Sequence, residues 1–155
     1  MHRLSRWLLV LGAVLAPRVI LAQSAADSAG VRAAALDYVE AIYRVDTTRI
    51  VRSVRPELAK RGYFVPRGKT EYASEPMTYA ELIGVARSWN KAGRVDPEKA
   101  PKVVQILDLQ DQTASVKLTA QWGTDYMHMA RYDGRWMIVN KIYARETRRE
   151  HVSGS

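Results

Sequence analysis

The sequence contains no cysteine and only three histidines among its 155 residues. The lack of cysteine excludes thiol nucleophiles, thiolate zinc sites and redox pairs. Of the histidines, only His128 and His151 lie beyond the first 22 residues, so a metal site with several imidazoles is excluded as well. A Gly-x-Ser-x-Gly elbow and a glycine-rich phosphate loop are also missing. We therefore predict no bound metal and no cofactor.

The N-terminal segment predicts a secretory signal peptide over residues 1–22. Arg3 and Arg6 form a basic start, residues 7–16 form an apolar run, and Ala22 is a small residue at the expected cleavage position. The alternative is an uncleaved anchor, but about ten apolar residues are too few to span a bilayer core of about 30 Å. Since no other segment approaches membrane length, we expect an exported protein, periplasmic or secreted, without membrane insertion after cleavage. Residues 23–28 are then expected to form a flexible mature N-terminus.

The positive charge does not predict a nucleic-acid partner. The full sequence carries a net charge of +8, and removal of the signal peptide leaves 21 basic and 16 acidic residues, a net charge of +5. The basic residues are scattered or lie in the C-terminal tail, residues 145–155, which has no periodicity and is expected to be disordered. Nucleic-acid binding requires a concentrated basic face with stacking aromatic side chains. A mild preference for anions is the better interpretation.

The stretch from Thr113 to Tyr143 predicts three consecutive antiparallel strands. Asp133 and Gly134 form a two-residue loop that suits a type I′ turn, and such a loop fixes the strand register. Alternating residues share a face. One face should then hold the pairs Arg131–Trp136, Met129–Ile138, Met127–Asn140 and Asp125–Ile142. The other face should hold Ala130–Met137, His128–Val139, Tyr126–Lys141 and Thr124–Tyr143.

The rest of the chain predicts helices that cover one face of this sheet. Helices are expected at about residues 29–45, 49–54 and 79–90, and the last has a capping box formed by Thr78 and Glu81. Residues 57–61 are expected to be a helical turn or loop, 62–65 a short strand and 70–74 its weak partner. Longer strands are expected at 102–109, 113–122, 124–132 and 135–143. The fold class is thus α+β over residues 29–144, with three helices packed in the concave face of a curved, mostly antiparallel sheet.

This order resembles the cone-shaped fold of the nuclear transport factor 2-like superfamily, which includes ketosteroid isomerases, polyketide cyclases and many non-catalytic modules. Within it, the sequence is similar to the family of putative lumazine-binding proteins. The similarity rests on Ala35–Tyr63, on the helix opening Thr78–Leu82 and on Thr124–Tyr143. The resemblance implies a cone with an internal pocket and a tendency to form homodimers, but no established ligand.

Three functions remain open for such a cone. The first is an isomerase or dehydratase, in which Asp125 would be a desolvated base and Tyr38 an oxyanion donor, as the superfamily's enzymes imply. The second is binding of a small, planar or apolar ligand in a pocket lined by Tyr38, Met127, Asn140 and Trp136. The third is a structural dimer that uses an outer sheet face, with a cone filled by tryptophans. That face would hold Ala130, Met137, Val139 and Tyr143, and the filling tryptophans would be Trp89, Trp122 and Trp136.

We predict the second function, because the expected register separates the polar residues of the hairpin. We also expect a homodimer, because the resemblance to the superfamily implies one. The register places Asp125 and Asn140 on one face and Tyr126, His128 and Lys141 on the other. A residue set divided in this way does not form one active site. A metal ion between Asp125 and His128 is excluded for the same reason.

Overall fold

The computed structural model describes residues 16–66 and 68–144, and within them it contains three helices and one six-stranded sheet. The helices are α1 (Ala16–Arg44), α2 (Thr47–Ser53) and α3 (Tyr79–Ser88). The strands are β1 (Val54–Phe64), β2 (Ala73–Met77), β3 (Lys102–Leu109), β4 (Thr113–Ala120), β5 (Gly123–Tyr132) and β6 (Arg135–Ala144). Most of the predicted signal peptide and all of the predicted tail, residues 145–155, lie outside the described residues.

The sheet has the strand order β2-β1-β6-β5-β4-β3, and only the β1–β6 pair is parallel. The helices pack on one face of the sheet, where alternate residues of β4 and β5 are buried. The predicted α+β class, with helices against a mostly antiparallel sheet, is confirmed. Within residues 16–66 and 68–144, no helix is both long and apolar enough to cross a bilayer.

The β5–β6 hairpin follows the predicted register only near its turn. Asp133 and Gly134 both have positive φ, as a type I′ turn requires, and Met129 lies opposite Ile138. Beyond this pair the register shifts by one residue, so that His128 lies opposite Asn140 and Val139 is left unpaired. This irregularity is a β-bulge, which adds one residue to one strand and reverses the facing of every residue beyond it.

The bulge overturns the predicted faces at the far end of the hairpin. Met127 now lies opposite Lys141 and Asp125 opposite Tyr143, on the face that the helices cover. Asn140 joins His128 on the other face. The predicted separation of Asp125 from Lys141 was therefore wrong, because a two-residue turn fixes the register only as far as the first bulge.

Strand β1 is longer than predicted, because the expected turn or loop at residues 57–61 is extended. Leu58, Lys60 and Gly62 are buried while their neighbours are exposed, which is the alternation of a half-buried strand. The strand pairs with β2 on one side and with β6 on the other, so its conformation is set by tertiary pairing. In this register Lys60 lies beside Lys141.

Helix α1 begins earlier than predicted, and residues 23–28 belong to it. Asp27 is a buried residue within this helix. Its carboxylate accepts a hydrogen bond from Trp136 Nε1 at 3.3 Å and pairs with Arg131 Nη1 at 3.1 Å. These contacts attach the Asp27 turn of α1 to the hairpin, in a segment that is helical and that the sequence predicted to be a flexible N-terminus.

The start of α3 agrees with the prediction. The Thr78 hydroxyl accepts from the Glu81 backbone N–H at 3.2 Å, and the Glu81 carboxylate accepts from the Thr78 backbone N–H at 2.7 Å. This reciprocal pair is the capping box that the sequence predicts.

Candidate functional site

A cavity of about 380 Å³ lies between the helices and the sheet. Tyr38 and Ile42 reach it from α1, and Val85 and Trp89 belong to α3 or its end. The sheet and its loops complete the lining with Lys60, Met77, Trp122, Lys141 and Tyr143. Such a cavity is large enough for a small ligand and combines aromatic rings with a few polar groups.

Lys141 is buried in the wall of this cavity. Its ammonium lies 2.8 Å from Asp125 Oδ2 and donates a hydrogen bond to the Tyr38 hydroxyl at 2.7 Å. The same nitrogen lies over the rings of Tyr38 and Tyr143, 4.7 and 4.6 Å from their centroids. A buried ammonium is costly unless it is paired, and here a carboxylate, a hydroxyl and aromatic faces all stabilise its charge.

Asp125 lies behind Lys141 and is fully buried. Its Oδ2 atom contacts Lys141 and also accepts a hydrogen bond from Trp122 Nε1 at 2.9 Å. Within the described residues, Oδ1 is buried and has no hydrogen-bond partner. Asp125 therefore holds Lys141 in the cavity wall but is not among the residues that line the cavity.

Burial changes the pKa of both partners of the Lys141–Tyr38 hydrogen bond. Burial of the Tyr38 hydroxyl, together with the nearby charge of Asp125, raises its pKa well above the ordinary value. Burial lowers the pKa of Lys141, although the contact with Asp125 opposes this shift. The raised pKa means that Tyr38 remains a neutral hydroxyl at neutral pH. Since its oxygen already accepts from Lys141, its proton is available to another acceptor.

Lys60 brings a second ammonium to the same wall. Its Nζ lies 2.8 Å from Met77 Sδ and is within 5.9 and 5.5 Å of the ring centroids of Tyr38 and Tyr143. Lys60 and Lys141 are register partners on adjacent parallel strands, so both side chains point to the helix-covered face. Two lysines thus share one aromatic surface.

Trp89 and Trp122 also line the cavity, and the Trp122 ring adjoins Lys141, whose Nζ lies 5.7 Å from its centroid. Their rings meet edge to face at 5.4 Å, and both contact Tyr43, at 5.9 and 5.5 Å. Tyr43 is held by its hydroxyl, which donates to Pro101 O and accepts from Gln121 N, both at 2.7 Å. Trp89 remains 40% exposed and therefore lies where the cavity meets solvent.

The sequence was compared with models of known protein families and with known proteins. The model of the family described as "Putative lumazine-binding" matches residues 26–144. The chain belongs to this family. No curated protein matches the sequence.

Solved structures similar to this family member share its fold at low sequence identity. An NTF2-like protein of unknown function from Shewanella baltica is 16% identical over 79% of this chain and 92% of its own, with a TM-score of 0.55. An NTF-2 like protein of unknown function from Silicibacter pomeroyi is 19% identical over 79% of this chain and 95% of its own, with a TM-score of 0.53. An NTF2-like protein with a cystatin-like fold from Novosphingobium aromaticivorans is 13% identical over 91% of this chain and 92% of its own, with a TM-score of 0.52. These similarities support the cone fold alone.

Of the residues predicted to bind a ligand, the structure brings only Tyr38 to the cavity. Met127 points to the helix-covered face but is buried in the core. Trp136 is also buried, and it borders a separate depression beside Asp27. Asn140 lies on the other face, where its amide donates to Ala59 O at 3.0 Å and its oxygen lies 3.1 Å from His128 Nδ1. The prediction placed Asn140 on the wrong face of the sheet, because it did not include the bulge at Val139.

Both lysines of the cavity are absent from the site predicted from sequence. Lys60 lay in a segment expected to be a turn or loop, and Lys141 lay on the wrong face of the predicted hairpin. Trp89 and Trp122, which would fill the cone in the alternative of a structural dimer, line a space within it. The sequence does contain one signal for Lys60. In Leu58-Ala59-Lys60-Arg61-Gly62 the lysine occupies an inward position of the strand alternation, which indicates a buried charged side chain.

Proposed function

We propose that this family member is a non-catalytic binding domain that holds a small, planar ligand in the cavity between the helices and the sheet. The observation that supports this most is the lining itself. Four aromatic side chains, those of Tyr38, Trp89, Trp122 and Tyr143, surround about 380 Å³. Aromatic walls favour flat rings, which stack on them with little loss of conformational freedom.

The environment of Asp125 favours binding over catalysis. A general base must lie within hydrogen-bond reach of the proton that it removes. Asp125 instead lies behind Lys141, and its Oδ2 already accepts from Lys141 and Trp122. The same contacts hold Tyr38 and Lys141 in place, which suits a rigid binding wall. Because the N-terminal sequence predicts export, the ligand would be one available outside the cytoplasm.

Lumazine is the natural first probe, because the family's description refers to it and because it is a small planar heterocycle. We expect wild-type protein to bind lumazine and Trp89→Ala to bind it about tenfold more weakly, since stacking on one aromatic side chain contributes roughly 1–3 kcal/mol. Isothermal titration calorimetry measures both affinities. Trp89 is partly exposed at the end of α3, so far-UV circular dichroism of the variant should remain that of wild type.

Tyr72→Ala is the matched control for this experiment. Tyr72 is an exposed aromatic residue that borders a different surface depression, so its loss should leave lumazine binding unchanged. Equal affinities of wild type and Trp89→Ala would place the ligand elsewhere. If wild type binds neither lumazine nor related planar heterocycles, the proposed function is wrong.

We further propose that the domain forms a homodimer through the sheet face opposite the helices. On that face Tyr126 and Ile142 are register partners, 50% and 42% exposed, and Val103 is more exposed still. Exposed apolar side chains that adjoin on a sheet face are typical of an interface. This set replaces the one predicted from sequence, because Tyr143 faces the cavity and Met137 is buried within the protomer.

Light scattering should therefore give the mass of a dimer at tens of micromolar protein. Tyr126→Lys should give a monomer, because a twofold axis would bring two added positive charges into one interface. Tyr72→Lys, which adds the same charge away from the sheet face, should remain dimeric. A monomeric wild type, or a dimeric Tyr126→Lys variant, would contradict this proposal.

A further inference from the structure

Lys141 places a primary amine in the wall of the cavity. The residue is 2% exposed and is one of those that line the cavity. Its nitrogen lies 2.8 Å from Asp125 Oδ2, donates to the Tyr38 hydroxyl at 2.7 Å and otherwise lies over aromatic rings. Two of its three N–H groups thus have an oxygen acceptor, and residues 16–66 and 68–144 offer no third. A desolvated lysine amine of this kind is suited to attack a carbonyl carbon.

The side chains around Lys141 have opposite effects on its charge. Burial, the largest effect, lowers the pKa of Lys141, while the charge and the hydrogen bond of Asp125 raise it. The other titratable groups nearby are Lys60, its register partner on β1, and the hydroxyls of Tyr38 and Tyr143. Because the balance is a lowered pKa, a larger fraction of Lys141 is neutral at neutral pH than of an exposed lysine.

The Tyr38 hydroxyl offers a hydrogen bond to a carbonyl oxygen beside this amine. Its oxygen accepts from Lys141, and its own proton has no acceptor among the described residues. Burial and the charge of Asp125 raise the pKa of Tyr38, so the hydroxyl keeps this proton at neutral pH. A carbonyl oxygen that accepts the proton brings its carbon next to Lys141 Nζ, which is the position that attack by the amine requires.

We propose that the ligand is a planar aromatic aldehyde and that Lys141 captures it by forming an imine with its carbonyl carbon. This inference rests on the proposed function, because it names the class of ligand that the same cavity would hold. The ring of the aldehyde lies against the aromatic lining, and the carbonyl oxygen accepts from Tyr38. Capture is not turnover, so the domain remains a binding protein.

Imine formation conserves the charges of this wall. Asp125 takes one proton from the Lys141 ammonium, and the neutral amine adds to the carbonyl carbon. The bonded nitrogen then loses a second proton, which Tyr38 passes to the carbonyl oxygen. The resulting hydroxyl group takes the proton held by Asp125 and leaves as water while the C=N bond forms. Ammonium and aldehyde thus give a protonated imine and water, and the positive charge stays paired with the buried Asp125.

Trapping with sodium borohydride tests this inference, with 6-formylpterin as the probe. The probe is added first, and borohydride then reduces any imine to a stable secondary amine, which mass spectrometry counts and peptide mapping locates. Wild type should gain one adduct, on Lys141, and should form it more than about tenfold faster than on the exposed Lys99, because binding holds the aldehyde beside Lys141. The alcohol 6-hydroxymethylpterin should bind without forming an adduct and should compete with the aldehyde.

Tyr38→Phe tests the role of the hydroxyl, because it keeps the aromatic ring. Capture on Lys141 should slow by about 100-fold, as expected for loss of a positioned proton donor. The affinity for 6-hydroxymethylpterin by calorimetry should fall by less than about tenfold, since at most one neutral hydrogen bond is lost. Tyr72→Phe, which removes an exposed hydroxyl outside the cavity, should capture the aldehyde at the wild-type rate.

The outcomes separate this inference from the proposed function. If 6-hydroxymethylpterin binds but no adduct is trapped, or if the adduct lies on Lys60 or on exposed lysines, only this inference is overturned. An unchanged capture rate in Tyr38→Phe also overturns it, because the mechanism requires that hydroxyl. If neither pterin binds, the proposed function fails and the inference fails with it. If Tyr38→Phe does not fold, the location of the adduct in wild type and its suppression by the alcohol decide.

Discussion

Replacing Lys141 with methionine should lower the free energy of unfolding by about 3–5 kcal/mol, because removal of one partner from a buried ion pair leaves the other charge uncompensated. The remaining charge would be that of Asp125, which is fully buried and has Oδ1 without a partner in the described part of the chain. Among the described residues, the Trp122 indole would then be the one remaining side-chain donor to Oδ2. Urea denaturation followed by circular dichroism measures the change.

The double variant Asp125→Leu/Lys141→Met should recover most of this loss. Replacement of a whole buried ion pair by apolar side chains of similar size is often neutral or stabilising, since both desolvation costs disappear together. The coupling energy from the double-mutant cycle should therefore be large and favourable to the pair. If Lys141→Met proves too unstable to fold, the double variant should still fold, and its stability tests the same argument.

Lys99→Met is the matched control. Lys99 also contacts a carboxylate, that of Asp96 at 3.4 Å, but its side chain is 87% exposed. Exposed ion pairs contribute about 0–1 kcal/mol, so this variant should unfold almost as wild type does. Equal stabilities of Lys141→Met and Lys99→Met would contradict the argument that the buried contact between Lys141 and Asp125 stabilises the fold.

The helical cap and the hairpin turn could be predicted from sequence, because both depend on residues close in the chain. Thr78 and Glu81 satisfy each other's backbone groups three residues apart, and Asp133-Gly134 tolerates the positive φ that its turn requires. Both features are present as predicted. The fold class followed from the order of such elements.

The two lysines of the cavity could not be predicted, because their positions depend on contacts between distant strands. The bulge at Val139 cannot be recognised in the sequence, because it lies within a run of strand-forming residues. It nevertheless places Lys141 on the same face of the sheet as Asp125. Lys60 faces inward only because β1 pairs with β6 in parallel and with β2 on its other edge. In both cases the charged residue interrupts the apolar alternation that sequence reasoning relies on, and its partners lie far away in the chain.

Gly30→Ala should destabilise the protein, although alanine is the better helix former. In the interior of an ordinary helix this substitution stabilises by about 0.5–1 kcal/mol. At position 30, however, the added Cβ would lie 2.7 Å from Trp136 Cδ1. Trp136 is buried in the core cluster, and its indole nitrogen donates to Asp27 of the same helix, so its ring has little freedom to withdraw. Overpacking of this kind costs about 1–3 kcal/mol, which exceeds the gain in helix propensity.

Gly84→Ala isolates the propensity effect, because Gly84 also lies within a helix but, apart from its own stretch of helix, no atom in the described part of the chain lies within 4 Å of its added Cβ. This variant should gain about 0.5–1 kcal/mol by urea denaturation, so the two alanine variants should shift in opposite directions from wild type. Stabilisation by both would mean that α1 and β6 are not held as closely as Trp136 and Asp27 indicate. Asp27 and Gly30 hold α1 against β6 through Trp136. Opposite changes in the free energy of unfolding would show that this contact stabilises α1 next to the residues that the sequence predicted to be flexible.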